Sequence, residues 1–263
     1  MRRRTAISLA VLAFVLVPAS AGAGTHAGPA TPELALTATP SRVALVGSGS
    51  AAIRVTNPSA RAIRIDVGRA GFALDLRGRP RVRGVTGSRA AVSWLSVRPA
   101  QFVLAPRASR AVTVAARLPR RVEPGDHDAL VLLTTRPQGV RRVAVRMRIG
   151  VVVVVRAPGL VVRRVALGPL RVRRDRGRTV LQLRLVNRGN VTEHLPRGRI
   201  RIAIVRGESV TMFGAEAREL RPRTSGIVEL IYRGRMRGWV TARAEIAVDR
   251  GRPVVARTFR VKV

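Results

Sequence analysis

The chain contains no cysteine, few aromatic residues and few acids, and each shortage excludes something. Without cysteine no disulfide can hold the fold together, so each domain must be stabilised by its own hydrophobic core. Phe, Trp and Tyr together make up 3% of the residues, which leaves few rings on which nucleic-acid bases could stack. We therefore expect no specific binding of nucleic acid.

The shortage of acids leaves the chain strongly basic. The 14 Asp and Glu face 50 Lys and Arg, which gives a formal net charge of +36, and Lys262 is the only lysine. Two explanations stay open: codon bias in a GC-rich genome, or an anionic partner, because the guanidinium group pairs bidentately with phosphate and carboxylate. The charge is spread evenly along the chain, which favours diffuse attraction to a polyanion over one tuned site.

The N-terminus has the anatomy of a secretory signal peptide. A basic segment, Arg2–Arg4, precedes an apolar run that is too short to cross a bilayer comfortably, and small residues follow up to Ala23. We predict a signal peptide over 1–23, a linker over 24–32 and a secreted or extracellular cell-surface location. Contact with a membrane is expected only through the signal segment, if it stays uncut.

Apolar and polar residues alternate with a period of two throughout the rest of the chain, which is typical of half-buried strands. One such run places Val143, Val145, Met147 and Ile149 between Arg142, Ala144, Arg146 and Arg148. Turn residues such as Asn57-Pro58 and Asp249-Arg-Gly251 separate the runs. The pattern predicts an all-β protein in which arginine occupies the solvent face of the sheets.

An internal repeat divides the chain in two. Leu104-Ala-Pro-Arg-Ala-Ser-Arg-Ala-Val112 matches Leu220-Arg-Pro-Arg-Thr-Ser-Gly-Ile-Val228, and upstream of each copy an apolar strand ends in asparagine, at Asn57 and Asn187. One pattern that occurs twice in one order indicates two copies of one module. We predict two tandem immunoglobulin-like β-sandwich domains, over 33–158 and 159–263.

Three segments of the first module, in this order, carry a resemblance: Trp94-Leu-Ser-Val, the Leu104 repeat, and Pro124-Gly-Asp-His-Asp-Ala129. They resemble the peptidoglycan-binding domain of Gram-positive WxL-interacting surface proteins. More distantly, the chain is similar to the immunoglobulin-like pilus chaperones. The first resemblance implies a surface protein that binds the cell wall, and the second implies a chaperone for surface subunits.

Asp126-His127-Asp128 is the only cluster that invites a catalytic interpretation. It has neither a positioned nucleophile nor the three converging ligands of a metal site, so we predict a polar turn, no enzyme activity and no cofactor. Trp94 is open to two interpretations, packing within the core and a stacking platform for a ligand. The candidate binding residues are Trp94, Arg142, Arg146 and Arg148.

The function predicted first is non-catalytic docking at the cell surface. The partner would be a cell-wall polyanion, either peptidoglycan or a teichoic-type polymer, or an acidic surface protein. The alternative is an extracytoplasmic chaperone for surface or pilus subunits that acts by β-strand complementation across an exposed sheet edge.

Overall fold

A computed structural model describes residues 35–83, 91–136, 146–247 and 254–263. In these ranges, the runs of alternating apolar and polar residues form β-strands. The predicted signal peptide (1–23), the predicted linker (24–32) and the candidate residue Arg142 lie outside these ranges. No helix in the described ranges has the length and apolarity that a membrane span requires.

The first half of the described chain is a sandwich of two sheets. Its strands are β1 (Thr37–Thr39), β2 (Arg42–Val46), β3 (Gly49–Thr56), β4 (Ile63–Leu74), β5 (Pro80–Arg83), β6 (Leu95–Arg98), β7 (Gln101–Leu104), β8 (Ser109–Ala116), β9 (Gly125–Arg136) and β10 (Arg148–Ala157). One sheet has the order β1-β3-β8-β6, and the other has β2-β10-β9-β4, with β5 and β7 also paired to β4. All pairs are antiparallel except β2 with β10, which is parallel.

The apolar positions of these strands meet between the two sheets. The fully buried side chains there include Ile53, Ile65, Leu95 and Leu133. Arg54 and Arg64 alternate with them and are exposed. The sequence pattern therefore set the core on one face of each sheet and arginine on the other.

The second half repeats the architecture. Its strands are β11 (Val165–Asp175), β12 (Arg178–Asn187), β13 (Glu193–Leu195), β14 (Ile200–Arg206), β15 (Ser209–Gly214), β16 (Arg218–Leu220), β17 (Ser225–Ile231), β18 (Trp239–Ile246) and β19 (Val255–Lys262). The sheets have the orders β11-β12-β17 and β15-β14-β18-β19, and β13 pairs with β16. A separate core includes the buried side chains of Leu183, Ile202 and Leu220.

This arrangement confirms the predicted all-β fold of tandem immunoglobulin-like sandwiches. The boundary placed at 158/159 stays a prediction, and it falls in the segment between the end of β10 at Ala157 and the start of β11 at Val165.

The two copies of the repeat adopt the same turn around a buried asparagine. The Asn57 Nδ2 donates to the carbonyl oxygens of Leu104 (3.2 Å) and Ala105 (3.0 Å), and the Asn187 Nδ2 donates to that of Leu220 (3.0 Å). The arginine after the proline is left-handed in both copies, with φ of 60° at Arg107 and 55° at Arg223. The shared residues therefore encode one structural device, which ties the end of one strand to the turn before another.

Candidate functional site

Asp126, His127 and Asp128 do not form the predicted polar turn. They lie inside β9, and all three are buried. Gly125 opens this strand with φ 114°, and a Cβ there would collide with the Asn190 carbonyl of the second sandwich. The prediction of a turn was wrong because the partners that allow Asp126 and Asp128 to be buried lie far away in the chain and are not apparent from the local sequence.

Asp126 is bound by both halves of the chain. Its carboxylate accepts from Arg156 Nε at 2.7 Å and from the Thr192 backbone N–H at 2.8 Å. Burial raises the pKa of Asp126, but these hydrogen bonds outweigh it and hold the pKa below the ordinary value. The ionised carboxylate is thus built into the contact between the two sandwiches.

Asp128 pairs with Arg221, which belongs to the second copy of the repeat. The Arg221 Nε lies 2.5 Å from an Asp128 oxygen, and the same guanidinium donates to the Phe72 carbonyl at 2.7 Å. It also stacks over the Phe72 ring at 4.3 Å. Burial raises the pKa of Asp128 even with Arg221 beside it. This pair places a carboxyl group and an arginine where both are largely removed from water.

A cleft of about 380 Å³ lies between the sandwiches and includes these residues among its walls. Its carboxylates face arginines, Asp128 with Arg221 and Glu123 with Arg223. The Asn190 amide spans it, donating to the carbonyl oxygens of Pro124 and Leu160. In the described part of the chain, no group of three acidic or histidine side chains is placed to hold a metal. These ion pairs and hydrogen bonds join the two modules across the cleft.

Trp94 packs within the first sandwich. It ends a 3₁₀ turn over Ala91–Trp94, packs against the core and lies 4.6 Å from the His127 ring. His127 pairs with Val155, at the opposite end of β10 from Arg148, so the structure does not bring Trp94 together with Arg148. Part of its surface is still accessible, and a role of Trp94 in binding stays a prediction.

Arg148 is the first residue of β10 and Arg146 lies two positions before it; both are exposed. Met147 and Ile149 alternate with them and pack against the margin of the first core, where both are half-buried. In the described part of the predicted run, residues 146–149, arginine faces solvent and the apolar side chains face the core. We call residues 146–151, which are the two positions before β10 and its first four residues, the free segment of β10.

The free segment has one uncovered edge. β2 pairs only with Val152–Arg156, where the Val152 N–H donates to the Ser41 carbonyl. On the other edge, Met147 O accepts from the Thr135 N–H of β9. Backbone groups alternate between the two edges of an antiparallel strand, so Arg148 and Gly150 direct theirs away from β9. No strand in the described ranges pairs with them there.

Comparison with known proteins finds similarity in solved structures alone. No protein-family model matches the chain, and no curated protein matches it. The class 5 fimbriae chaperone CfaA has 12% identity over 87% of this chain and 99% of that chain, with a TM-score of 0.48. The Pseudomonas aeruginosa CupB2 chaperone has 13% identity over 86% and 100%, with a TM-score of 0.45. The E. coli chaperone DraB has 13% identity over 88% and 98%, with a TM-score of 0.45.

Pilus chaperones are thus among the solved structures found, and the comparisons do not support the resemblance to WxL-interacting proteins. The TM-scores lie below 0.5, so nothing about the function of this chain follows from them.

Proposed function

We propose that the chain is an exported, non-catalytic protein that binds a β-strand of a surface-protein subunit along the free segment of β10, as an assembly chaperone would. The observation that carries the proposal is the uncovered edge. Arg148 and Gly150 present backbone N–H and C=O groups that β2 does not reach. An unpaired edge of this kind accepts an added strand through backbone hydrogen bonds.

Among the residues that the structure describes, those on both sides of this edge are accessible to solvent. Arg148 and Gly150 are exposed, as are Thr39 and Ser41 on the chain that leads into β2. The chain crosses here from one sheet to the other, from β1 to β2. Because β2 pairs with β10 only from Val152 onward, it does not reach the first residues of β10.

Side chains along the segment define the partner strand. Met147 and Ile149 lie at the margin of the core, where apolar side chains of an added strand would extend the buried surface. Arg146 and Arg148 flank the edge on the solvent side, which favours acidic side chains in the partner. The partner class that fits is an acidic surface protein with an unpaired strand of alternating apolar residues.

Docking of a cell-wall polymer, the function predicted first from the sequence, stays a prediction. An exposed arginine attracts a polymer and a strand alike, but a polymer does not require an unpaired backbone edge. The two functions therefore differ in their response to a change of backbone alone.

Replacing Gly150 with proline tests the proposal through that difference. Proline removes the outward N–H and places its ring at the edge, and it leaves the ladder with β9 intact because that N–H points away from β9. We expect binding to weaken by about tenfold or more, as measured by fluorescence anisotropy. The probe is a pool of labelled ten-residue peptides with apolar residues at every second position and acidic or polar residues between.

Gly150→Ala is the matched control. It keeps the N–H, and its Cβ would lie 3.5 Å from Leu130, an ordinary contact. We expect Gly150→Ala to bind the peptides like the natural chain and both variants to retain the melting temperature. If no peptide of the pool binds the natural chain, or if the proline and alanine variants bind equally well, β10 is not the binding edge and the proposal is wrong.

A further inference from the structure

We propose that a cleft at the far end of the second sandwich binds a compact multivalent oxyanion, a group of phosphates or carboxylates. We call it the distal arginine cleft. It lies between the β11–β12 turn and the loop from β17 to β18, has a volume of about 420 Å³ and includes four arginines in its wall. These are Arg174, Arg178, Arg233 and Arg237. The β11–β12 turn is at the opposite end of β11 from Val165 and the first sandwich.

In the ranges that the structure describes, no acid pairs with the arginines of this wall. None of the residues that line the cleft is acidic. The nearest carboxylate in sequence, Asp175, faces Arg173 at 3.4 Å. Within the described ranges, no ion pair engages the four cleft arginines. Four like charges repel one another across the cleft, and a bound anion would relieve that repulsion.

Other clefts of the protein show the opposite arrangement. In the cleft between the sandwiches, Arg221 faces Asp128. In another, Arg77 faces Glu229 at 3.1 Å. An even spread of arginine would be expected to leave every cleft of such a basic chain equally charged. Instead, acids line each of these two clefts, and none lines the distal arginine cleft.

The two walls of the cleft are joined and shaped by backbone hydrogen bonds and a tight turn. The β11–β12 turn has left-handed residues at Arg176 (φ 48°) and Gly177 (φ 76°), the geometry of a tight hairpin. The Tyr232 N–H donates to the Thr179 carbonyl at 2.9 Å, which joins the two walls. Tyr232 is buried, and its hydroxyl donates to the Met236 carbonyl at 3.2 Å.

The loop wall is fixed in the same way. The Arg237 Nη1 donates to the carbonyl oxygens of Gly234 (3.1 Å) and Met236 (3.0 Å). Gly234 packs so closely on the Tyr232 ring that a Cβ would lie 2.5 Å from it. Guanidinium groups on a fixed frame suit an anion with several oxygens, because each group can donate two parallel hydrogen bonds.

Calorimetric titration with tripolyphosphate and, separately, with citrate at about 150 mM NaCl tests the proposal. We expect one saturable site per chain for at least one of the two anions, and the one that binds tighter identifies the group as phosphate or carboxylate. In the double variant Arg178→Ala/Arg233→Ala we expect the affinity to fall by about tenfold or more, because two charge-assisted donors are lost.

The matched control is Arg54→Ala/Arg64→Ala, which removes the same charge from exposed strand positions of the first sandwich. We expect it to change the affinity less than about twofold. The milder variant Arg178→Gln/Arg233→Gln repeats the affinity measurement with side chains of similar length and no charge. Its melting temperature is compared with that of the natural chain to check that folding is unchanged. Equal losses in the cleft and control variants, or titrations without a saturable site, would show diffuse attraction to the whole basic surface and overturn the proposal.

Discussion

Arg221→Ala is expected to lower the free energy of unfolding by about 3–5 kcal/mol at pH 7, because it leaves the buried Asp128 carboxylate without its counter-charge. The guanidinium lies 2.5 Å from that carboxylate, and both side chains are largely buried. The substitution also removes the stacking on Phe72 and the hydrogen bond to its carbonyl. Urea denaturation followed by circular dichroism measures the loss.

The pH dependence of this variant separates the charge from the lost packing. Burial raises the pKa of Asp128 above its ordinary value of 3.8, and Arg221 opposes that rise. Without Arg221 the pKa rises further. A carboxyl group with a raised pKa in the folded state contributes stability below its unfolded pKa, and this contribution is lost as the pH rises through the folded pKa. The deficit of Arg221→Ala relative to the natural chain should therefore be smaller at pH 4 than at pH 7.

A second substitution completes the test. In Arg221→Ala/Asp128→Asn the buried charge is gone, so part of the lost stability should return at pH 7 and the pH dependence should flatten. Arg54→Ala, at an exposed strand position, should change the free energy by less than about 0.5 kcal/mol. A deficit that is the same at pH 4 and pH 7, and that the second substitution leaves unchanged, would contradict the role assigned to this ion pair.

The residues of this interface show what the sequence could not predict. Asp126 and Asp128 follow Pro124-Gly125, a pair of residues that is typical of a turn. In the structure both aspartates lie within β9, two positions apart and so on the same face of the strand. Their partners, Thr192 and Arg221, come from the other half of the chain. The local sequence pattern predicts that a polar residue is exposed, because it does not show a distant partner that could allow burial. Contacts between two modules join residues that are far apart in sequence, so the pattern cannot predict them.

The strand pattern and the repeat could be predicted because both are local. The alternation of apolar and polar residues predicted that Met147 and Ile149 lie on the same face, toward the core. A shift by one residue would exchange the two faces of the sheet. The alternation could not indicate which part of β10 would be covered by β2. Register between distant strands depends on where the chain crosses from one sheet to the other, and nothing in the alternation encodes that crossing. The candidate edge became visible only in the structure.

Asn57→Ala is expected to lower the free energy of unfolding by about 3 kcal/mol or more, because it leaves several buried polar groups without partners. The Asn57 side chain is fully buried. Its Nδ2 donates to three carbonyl oxygens, and its Oδ1 accepts from the backbone and the hydroxyl of Ser59. Thr113→Ala, on the exposed face of β8, is the control and should stay within about 0.5 kcal/mol.

The second copy of the repeat provides an internal comparison. Asn187 is also fully buried, but its amide makes three such hydrogen bonds, to Val191, Leu220 and Gly189. We expect Asn187→Ala to destabilise in the same direction and by less than Asn57→Ala. Each sandwich contains one tryptophan, so fluorescence of Trp94 and Trp239 can follow the two transitions separately.

Aspartate at position 57 distinguishes hydrogen bonding from shape. Asn57→Asp keeps the volume and the acceptor oxygen but turns the donor into a second acceptor that faces three carbonyl oxygens. If the amide matters through its donated bonds, aspartate should destabilise at pH 7 more than alanine does, since it adds a buried charge next to carbonyl oxygens. Aspartate equal to asparagine, or better than alanine, would show that the repeat conserves the shape of the turn and not the bonds across it.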